Sequence, residues 1–337
     1  MPSYRIGVVT DVLEERRGLQ RVRVDGEPAY VLTQLIGAVA IGDRVVMNTT
    51  SVELGLGTGG SHVVHWNLSR GDQGWSEPGR GHIMKLRYTS LQVDTGAGEE
   101  AAGFGSPASL GGLPVVACGL HSQVPCVAVV LRHLRPEARI AYVMTDGGSL
   151  PIALSDIVHQ LREGGVVDFT ITSGHAFGGD VEAVNLHSAL ALARFHGADV
   201  VIAGIGPGVV GTGTKLGHTG LDVVAIVDAV AALGGVPVLA VRFSDADERE
   251  RHRGPSHHTL TAVELAARQL AVASPDDVEV PDVDQLLAAR GLRVTTMGRG
   301  PLEDPAFFTW AGAAGVVAAQ RMGGAAGSGT AGIVRTT

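Results

Sequence analysis

The chain has 337 residues, with 26 basic against 34 acidic side chains and a formal net charge of −8 at pH 7. That length suits two domains, and the acidic balance lacks the basic field by which a nucleic-acid scaffold neutralises phosphate, so no nucleic-acid partner is expected. Apolar residues at 45% and charged ones at 18% exclude a disordered chain. The 48 glycines stand out against seven Phe, three Trp and four Tyr. Without a collagen-like period they mark either slack chain or places where backbone must turn tightly or approach a ligand.

The opening Met1-Pro2-Ser3-Tyr4-Arg5 has no charged-then-apolar leader, and no window reaches the roughly 18 apolar residues of a bilayer span. The most apolar run, 223–241, is broken by Asp228 and by Gly234-Gly235-Val236-Pro237. Cys118 and Cys126 alone build neither a disulfide framework nor a zinc site. A cytoplasmic protein without membrane partners is therefore expected. Lys85 and Lys215 are its two lysines.

Residues 1–68 read as a small all-β domain. Short strands are predicted at 5–12, 20–24, 29–32, 44–48 and 62–66, separated by the turn pairs Asp25-Gly26 and Gly42-Asp43. Their product is a β-barrel or sandwich. Residues 69–112 form a linker or irregular segment, in which 81–92 could make one strand and 93–112 stay exposed or disordered.

From Leu113 the period changes. Strands at 115–120, 140–145, 167–172, 200–205 and 236–243 alternate with helices at 122–134, 152–163, 181–196, 221–233 and 259–273. Five βα units over 113–275 predict a five-stranded, mostly parallel, doubly wound (Rossmann-like) sheet. Gly164-Gly165, Gly197 and Gly234-Gly235 supply left-handed caps where three of the helices end. The third strand, Val167-Asp168-Phe169-Thr170-Ile171-Thr172, alternates apolar with polar and reads as an edge. That favours the order 3-2-1-4-5, with a crevice between strands one and four. Residues 276–322 read as helix, strand (292–296) and helix, the last helix docking on the core through Phe307, Phe308 and Trp310. Residues 323–337 are a flexible small-residue tail.

Open parallel sheets bind ligands outside the carboxyl ends of their strands. The five loops there, 119–123, 145–148, 173–180, 206–220 and 244–258, hold His121, His175, His218, His252, His257 and His258. They also hold Asp146, Asp180, Asp245, Asp247, Lys215, Arg249, Arg251 and Arg253. Loops at the opposite end are short and carry few such groups. The blocks GLHSQVPCVA, MTDGGSLP, SGHAFGGDVEAVN, GPGVVGTGTKLGHTG and ADERERHRGPSHHTL resemble those of an uncharacterised bacterial domain-of-unknown-function family. The resemblance takes in GDRVVMNTTSVELGLGTGGSHVV as well and spans most of the chain. It implies no activity and no catalytic assignment.

Gly206-Pro207-Gly208-Val209-Val210-Gly211 fits the dinucleotide pattern G-x-G-x-x-G after a strand. No helix starts at the third glycine, however, and no acid about 20 residues on ends the next strand, Asp245 being 34 past Gly211, so NAD is not expected. Thr212 stands where a phosphate loop requires lysine. What remains is a loop whose Gly206, Gly208, Gly211, Thr212 and Gly213 amides, with Lys215, can hold an anion, or a long structural turn. Thr219 and Asp222 have capping-box spacing, Asp180 sits at an N-cap position, and Asp146 precedes a Gly-Gly turn. Ser122 occupies a nucleophile-elbow position without the flanking glycines and reads as an N-cap. Cys126 reads as small buried filler, and His133, His159, His187 and His196 as helix-surface residues. His62 and His65 lie beside the Gly-rich loop 54–60, which could reach the crevice from the β-domain.

A divalent metal with a bound water as nucleophile would draw on His121, His175, Asp180 and His218, although no H-E-x-x-H motif backs it. His257-His258 either cap the last helix or join Arg249, Arg251 and Arg253 in gripping a carboxylate or phosphate. The expected protein is a hydrolase or group transferase acting on a small anionic, in one form phosphorylated, substrate. His121 and His175 are its acid/base or ligand candidates, Asp146 and Asp180 their partners. Lys215, His218, Arg249, His257, His258 and the glycine-loop amides would bind the anion. The alternative is a non-catalytic ligand-binding regulator using the same crevice. A homo-oligomer is compatible with either, and a purely structural oligomer would leave the polar loops unexplained.

Overall fold

The computed structural model describes residues 1–56, 59–74, 83–105, 109–322 and 333–334. They form two units, Met1–Gly96 and Ala97–Thr337. The first contains β1 (Tyr4–Arg16), β2 (Leu19–Val24), β3 (Glu27–Val31), α1 (Thr33–Ile36), β4 (Arg44–Asn48), α2 (Thr50–Glu53) and β5 (His62–Asn67). These strands close into a barrel of order β1-β2-β3-β5-β4, which settles the barrel-or-sandwich alternative. Inward positions two apart, Val22 and Val24 on β2, Ala29 and Val31 on β3, Val45 and Met47 on β4, fill its core. Asp25 and Gly26 both take positive φ, as a two-residue hairpin turn between β2 and β3 requires. The expected single strand over 81–92 is instead a short antiparallel pair, β6 (Met84–Lys85) with β7 (Val93–Asp94), its residues 81–82 lying outside the described ones.

The second unit runs β8 (Pro114–Cys118), α3 (Gln123–Leu134), β9 (Ile140–Thr145), α4 (Asp156–Glu163), β10 (Phe169–Ser173), β11 (Val181–Ala183) and α5 (Leu186–Phe195). It continues through β12 (Val200–Ile205), α6 (Asp222–Ala232), β13 (Val236–Ala240), β14 (Phe243–Ser244), β15 (Gly254–Pro255), α7 (His257–Leu265) and β16 (Leu270–Val272). It ends with α8 (Val283–Ala288), α9 (Pro305–Arg321) and β17 (Ile333–Val334). One sheet of order β11-β10-β9-β12-β8-β13-β16-β17 results, parallel except for β17. Val116, Cys118, Tyr142 and Ile202 face α3 and α9, while Val115, Ala117, Val143 and Val201 face α5 and α6. Helices thus cover both faces, which is why these strands are apolar throughout.

Several expectations need correction. The sheet has eight strands, not five, and the five expected ones stand in the order 3-2-4-1-5, because β12 inserts between β9 and β8. The third strand is interior. Its polar residues Thr170 and Thr172 are buried, and their hydroxyls bond Asp180 (3.0 Å) and Glu182 (2.7 Å) from the β11 side. Alternation there records hydroxyl–carboxylate pairing rather than solvent. The helix expected from 181 starts only after β11, capped by Asn185 in a capping box with Ser188, so Asp180 is not an N-cap. Residues expected as one helix over 259–273 split into α7 and the strand β16, which lies between β13 and β17, and 292–296 contributes only a bridge between Thr296 and Arg299.

The segment expected to be slack is partly docked. The Leu110 amide donates to the Leu233 carbonyl (2.7 Å), and Glu99 accepts from the Val184 amide (2.8 Å). Of the tail, Ile333–Val334 pairs with β16, and the rest lies outside the described residues. Other expectations hold: Gly165, Gly197 and Gly234 take positive φ at helix ends, and Phe307 and Phe308 are buried in the core. Trp310 stacks on Phe243, ring centroids 4.6 Å apart. Among the described residues no helix is long and apolar enough to cross a membrane.

The contact of α9 with α3 is close because Gly315 lacks a side chain. A Cβ there would stand 2.9 Å from the Val127 carbonyl oxygen and 3.0 Å from Val130. Gly315→Ala therefore sets a helix-propensity gain of about 1 kcal/mol against an overpacking cost of about 1–3 kcal/mol. Backbone oxygen cannot move aside, so the cost wins. The urea midpoint should fall with the m-value unchanged; a midpoint that rises would show that α9 is free to shift.

Candidate functional site

After β13 the chain turns into the β14–β15 pair, which encloses 245–253 and delivers Ser256 to the start of α7. Ser256 Oγ accepts from the His258 amide, so His257 and His258 fall in the first helical turn. The loop 206–220 folds back on itself through Thr212 N–H to Gly217 O (2.7 Å) and Thr219 N–H to Val210 O (2.9 Å). His218 sits at its foot and is 7% exposed. These two segments, about 40 residues apart, bring four imidazoles together. His218 stacks on His258 at 3.6 Å and 11°, with His257 at 5.3 Å from His218. His252 lies 4.9 Å from both His257 and His258 and bonds Ser256 Oγ (2.7 Å).

Beside them is an arginine clamp. Asp247, 2% exposed, accepts three hydrogen bonds from Arg249, one from its amide (3.0 Å) and two from its guanidinium (2.9 and 2.8 Å), and one from Arg299 (3.3 Å), with Arg242 at 3.7 Å. Arg299 also bonds the buried Asp304 (3.1 Å), which accepts from Ser244 Oγ (2.6 Å). Burial alone would raise the Asp247 carboxyl, but the Arg249 hydrogen bonds hold it far below the carboxylate range. Burial, then the field of Arg249, lowers Arg242 to about 10, which leaves it a cation. Three guanidinium groups thus face two carboxylates.

The imidazoles beside this charge stay neutral. Burial followed by the pull of neighbouring charges takes His258 down to about 2 and His252 to about 3, and also lowers His218 and His257. Arg242 donates to His258 Nδ1 (3.1 Å). Neither ring nitrogen of His218, nor His257 Nε2, makes a hydrogen bond of normal geometry, although the Lys215 carbonyl pulls on the His218 ring. A small cleft at the ends of β8 and β13, with room for about one water molecule, is lined by Gly119, Gln123, Gly220, Arg242, His258 and Thr259 and reaches the group at His258. Gln123 is fixed there, donating to the Ala240 carbonyl (3.0 Å) and accepting from the Leu120 amide (3.0 Å).

The other candidates are engaged with partners of their own. His121 Nε2 meets Ser155 Oγ (2.7 Å), the cap of α4, and Nδ1 meets the Ile205 carbonyl (3.2 Å) and Tyr142 hydroxyl (3.3 Å). The His175 amide donates to Asp146 (2.9 Å). Asp146 neighbours Asp222, whose carboxyl is raised by burial and by that like charge. Asp180 accepts from the Thr170 amide (2.9 Å) and pairs with Arg162 (3.2 Å). Lys215 pairs with Glu264 (2.6 Å), as Arg249 does with Asp247. In the glycine loop, Gly206 closes against Ser149, Gly211 against His218, Gly208 takes positive φ, and Gly213 faces open space. The Thr212 amide and hydroxyl are turned onto the loop's own Gly217 carbonyl.

Two capping expectations are corrected. Ser122 makes no side-chain cap, and Thr219 bonds Val210 rather than forming a box with Asp222. In the barrel, His62 pairs with Glu27 (2.8 Å) and the His65 ring lies 5.2 Å from Tyr4. Reading by sequence did not single out Arg242, Arg299 or Asp304. The one signal was an arginine directly after the apolar run of β13.

Burial lowers the His121 imidazole to about 4, against the opposing pull of the Ile205 carbonyl. The unfolded chain takes up that proton near pH 6.5, so between the two values it binds more protons than the folded state. Stability should fall as pH drops from about 6.5 toward 4, by at most about 1.4 kcal/mol per pH unit from this group. His121→Gln should flatten the profile across that window in pH-dependent urea unfolding; parallel curves for the two proteins would refute the assignment.

The chain matches a family model described as a protein of unknown function, DUF3866, over residues 28–285. No curated protein and no solved structure matches it. The matched segment contains all four clustered histidines together with Arg242, Asp247 and Arg249, whereas Arg299 and Asp304 lie beyond its end. On a match covering more than three quarters of its length, the chain belongs to the DUF3866 family.

Proposed function

We propose that the protein is a hydrolase or group transferase for a small anionic substrate, bound over the mouth of the small cleft at the carboxyl ends of β8 and β13. The observation that carries this reading is the charge imbalance of the arginine clamp. Arg242, Arg249 and Arg299 outnumber Asp247 and Asp304, and Arg242 lines the cleft. A guanidinium held 6% exposed and only loosely paired is a strong, directional partner for phosphate or carboxylate. The amino end of α7 points its dipole at the same place. Neutral imidazoles beside the anion offer nitrogen lone pairs, which acid–base and metal-assisted hydrolysis both use.

Treating the sheet as a doubly wound, Rossmann-like variant agrees with this location, since ligands of such sheets sit outside the strand carboxyl ends. In this reading Arg242 takes the anion-binding role expected of Lys215 and Arg249, which are occupied by Glu264 and Asp247. His121, His175, Asp146 and Asp180 hold the surrounding loops in place.

Calorimetric titration with inorganic phosphate tests the site. Arg242→Met should weaken phosphate binding by at least tenfold, about 1.4 kcal/mol, while Lys215→Met leaves it unchanged. No phosphate binding to the wild-type chain, or equal loss in both variants, would sink the proposal. Turnover of p-nitrophenyl phosphate or acetate, abolished by the same Arg242 variant, separates an enzyme from a regulator that only binds.

A further inference from the structure

We infer that His218, His257 and His258 form a three-histidine site for a divalent transition-metal ion of the zinc class. This deepens the proposed function and rests on it only for the substrate. One donor nitrogen from each ring can be chosen so that all lie within 4.8 Å of one another. A tetrahedral zinc site sets its nitrogens about 3.3 Å apart, given bonds of about 2.0–2.1 Å. Closure therefore needs at most about 1.5 Å of approach, by rotation of the partly exposed His257 ring and by splaying of the stacked His218 and His258 rings so that their in-plane lone pairs converge.

Three independent observations point to a ligand here. First, His218 is nine-tenths buried and neither ring nitrogen makes a hydrogen bond of normal geometry, the Lys215 carbonyl being its one nearby acceptor among the described residues, and His257 Nε2 is buried and unmatched. Leaving such groups unmet costs about 1–3 kcal/mol each, and an ion is one of the few things that repays it. Second, Gly220 leaves a vacant cradle against the pair. A Cβ at 220 would meet His218 Nδ1 and His258 Nδ1 at 3.2 Å each, so the two stacked rings present the same nitrogen to one small space. Third, the His258 Nδ1 lone pair already accepts a cationic donor, Arg242 at 3.1 Å. That hydrogen bond places the lone pair, and not a proton, on Nδ1, the tautomer a metal needs.

The chemistry follows from these positions. Three imidazoles leave a fourth coordination place open, the arrangement of catalytic rather than structural zinc. The cleft carrying Arg242 adjoins it. A metal at His258 Nδ1 displaces the Arg242 contact and releases that guanidinium to the anionic group of the substrate. Water in the fourth place would have its pKa lowered to about 7 by the ion, which would supply a nucleophile beside the held anion. Water then adds its oxygen to the phosphorus or acyl carbon, the leaving group departs with the bond pair, and the water's protons pass to solvent and the leaving group. No oxidant or reductant is required.

The cation must bind near Arg242 and the amino end of α7, both unfavourable to it. A bound anion offsets both, so metal and anion should strengthen each other.

Titration of the full chain with Co2+, read by visible d–d absorption, and with Zn2+ in competition tests the site. One equivalent should bind and give the intense bands of four-coordinate cobalt. His257→Gln, at a half-buried position that leaves the fold intact by circular dichroism, should weaken it beyond the roughly 10–100-fold that outer-shell changes cost. His218→Gln should do the same, and His121→Gln should not. Arg242→Met should tighten Co2+ severalfold while losing phosphate, so the metal and anion proposals fail separately. Retention of the bands in His257→Gln and His218→Gln, weaker metal binding in Arg242→Met, or no stoichiometric binding by the wild type would overturn the inference.

Discussion

The arrangement of the site depends on one buried carboxylate. Asp247 has no structural alternative to its arginines: at 2% exposure, removing their charge would leave an uncompensated ion at a cost of about 3–5 kcal/mol. Satisfying it brings a distant stretch of chain to its own: Arg242 from just past the end of β13 and Arg249 from the same loop are joined by Arg299 from the approach to α9. Asp304, the residue before α9, extends the network through Arg299 and Ser244. The clamp therefore ties the 245–253 loop to both the sheet and the last helix. Arg253 adds a bond to the Asp247 carbonyl (3.0 Å). With the loop held, Ser256 can cap α7 and present His257 and His258 toward His218.

Glycine carries the second constraint, that loops from neighbouring strands approach at backbone distance. Gly204 lies inside β12, where a Cβ would stand 2.6 Å from the Cys118 carbonyl on β8. Gly147 and Gly148 bring the loop after β9 against Asp222 and against Gly206, and the Ser149 amide bonds the Pro207 carbonyl (2.8 Å). Side chains at these positions would push the loops apart and widen the sheet's carboxyl end. Other glycines of this unit end helices, and Gly208 and Gly254 take positive φ with nothing near them, as Gly42, Gly59 and Gly60 do in the first unit, where Gly7 in turn serves close approach to Asp25 and Val24. Glycine thus serves close approach and tight turning in both units.

Local periodicity made most elements readable, because a strand of β2's length or a helix such as α3 is decided by residues within one or two turns of itself. Strand order was not readable. Nothing in the apolar run of β12 distinguishes insertion between β9 and β8 from placement beyond β8, since both environments are apolar on both faces. Thr170 and Thr172 misled for a related reason: a hydroxyl paired with Asp180 or Glu182 looks, in sequence, like a hydroxyl facing water. At the site, concentration of histidine in the carboxyl-end loops was legible, and His218, His257 and His258 are drawn from it. Which of them meet was not, because that depends on the fold-back of 206–220 and on the Ser256 cap. Arg299 and Asp304 lie about 50 residues beyond the loop they complete, where no spacing rule reaches.

The cluster also explains why arginine and neutral histidine occur side by side. A guanidinium within hydrogen-bond reach makes an imidazolium expensive, since two like charges in a buried site repel. Arg242 therefore acts on His258 twice, opposing its protonation through the field and fixing its lone pair through the hydrogen bond. Asp247 in turn keeps Arg242 from being an unpaired buried cation, but at 3.7 Å it engages it less tightly than it does Arg249. Arg242 is thus held in position yet left with unspent donor capacity toward the cleft. A fully satisfied arginine would bind nothing further, and an unpaired one would not remain buried. The intermediate pairing is what makes the carboxyl end of β13, among the many polar loops of this unit, the place where the proposed anion would gain most.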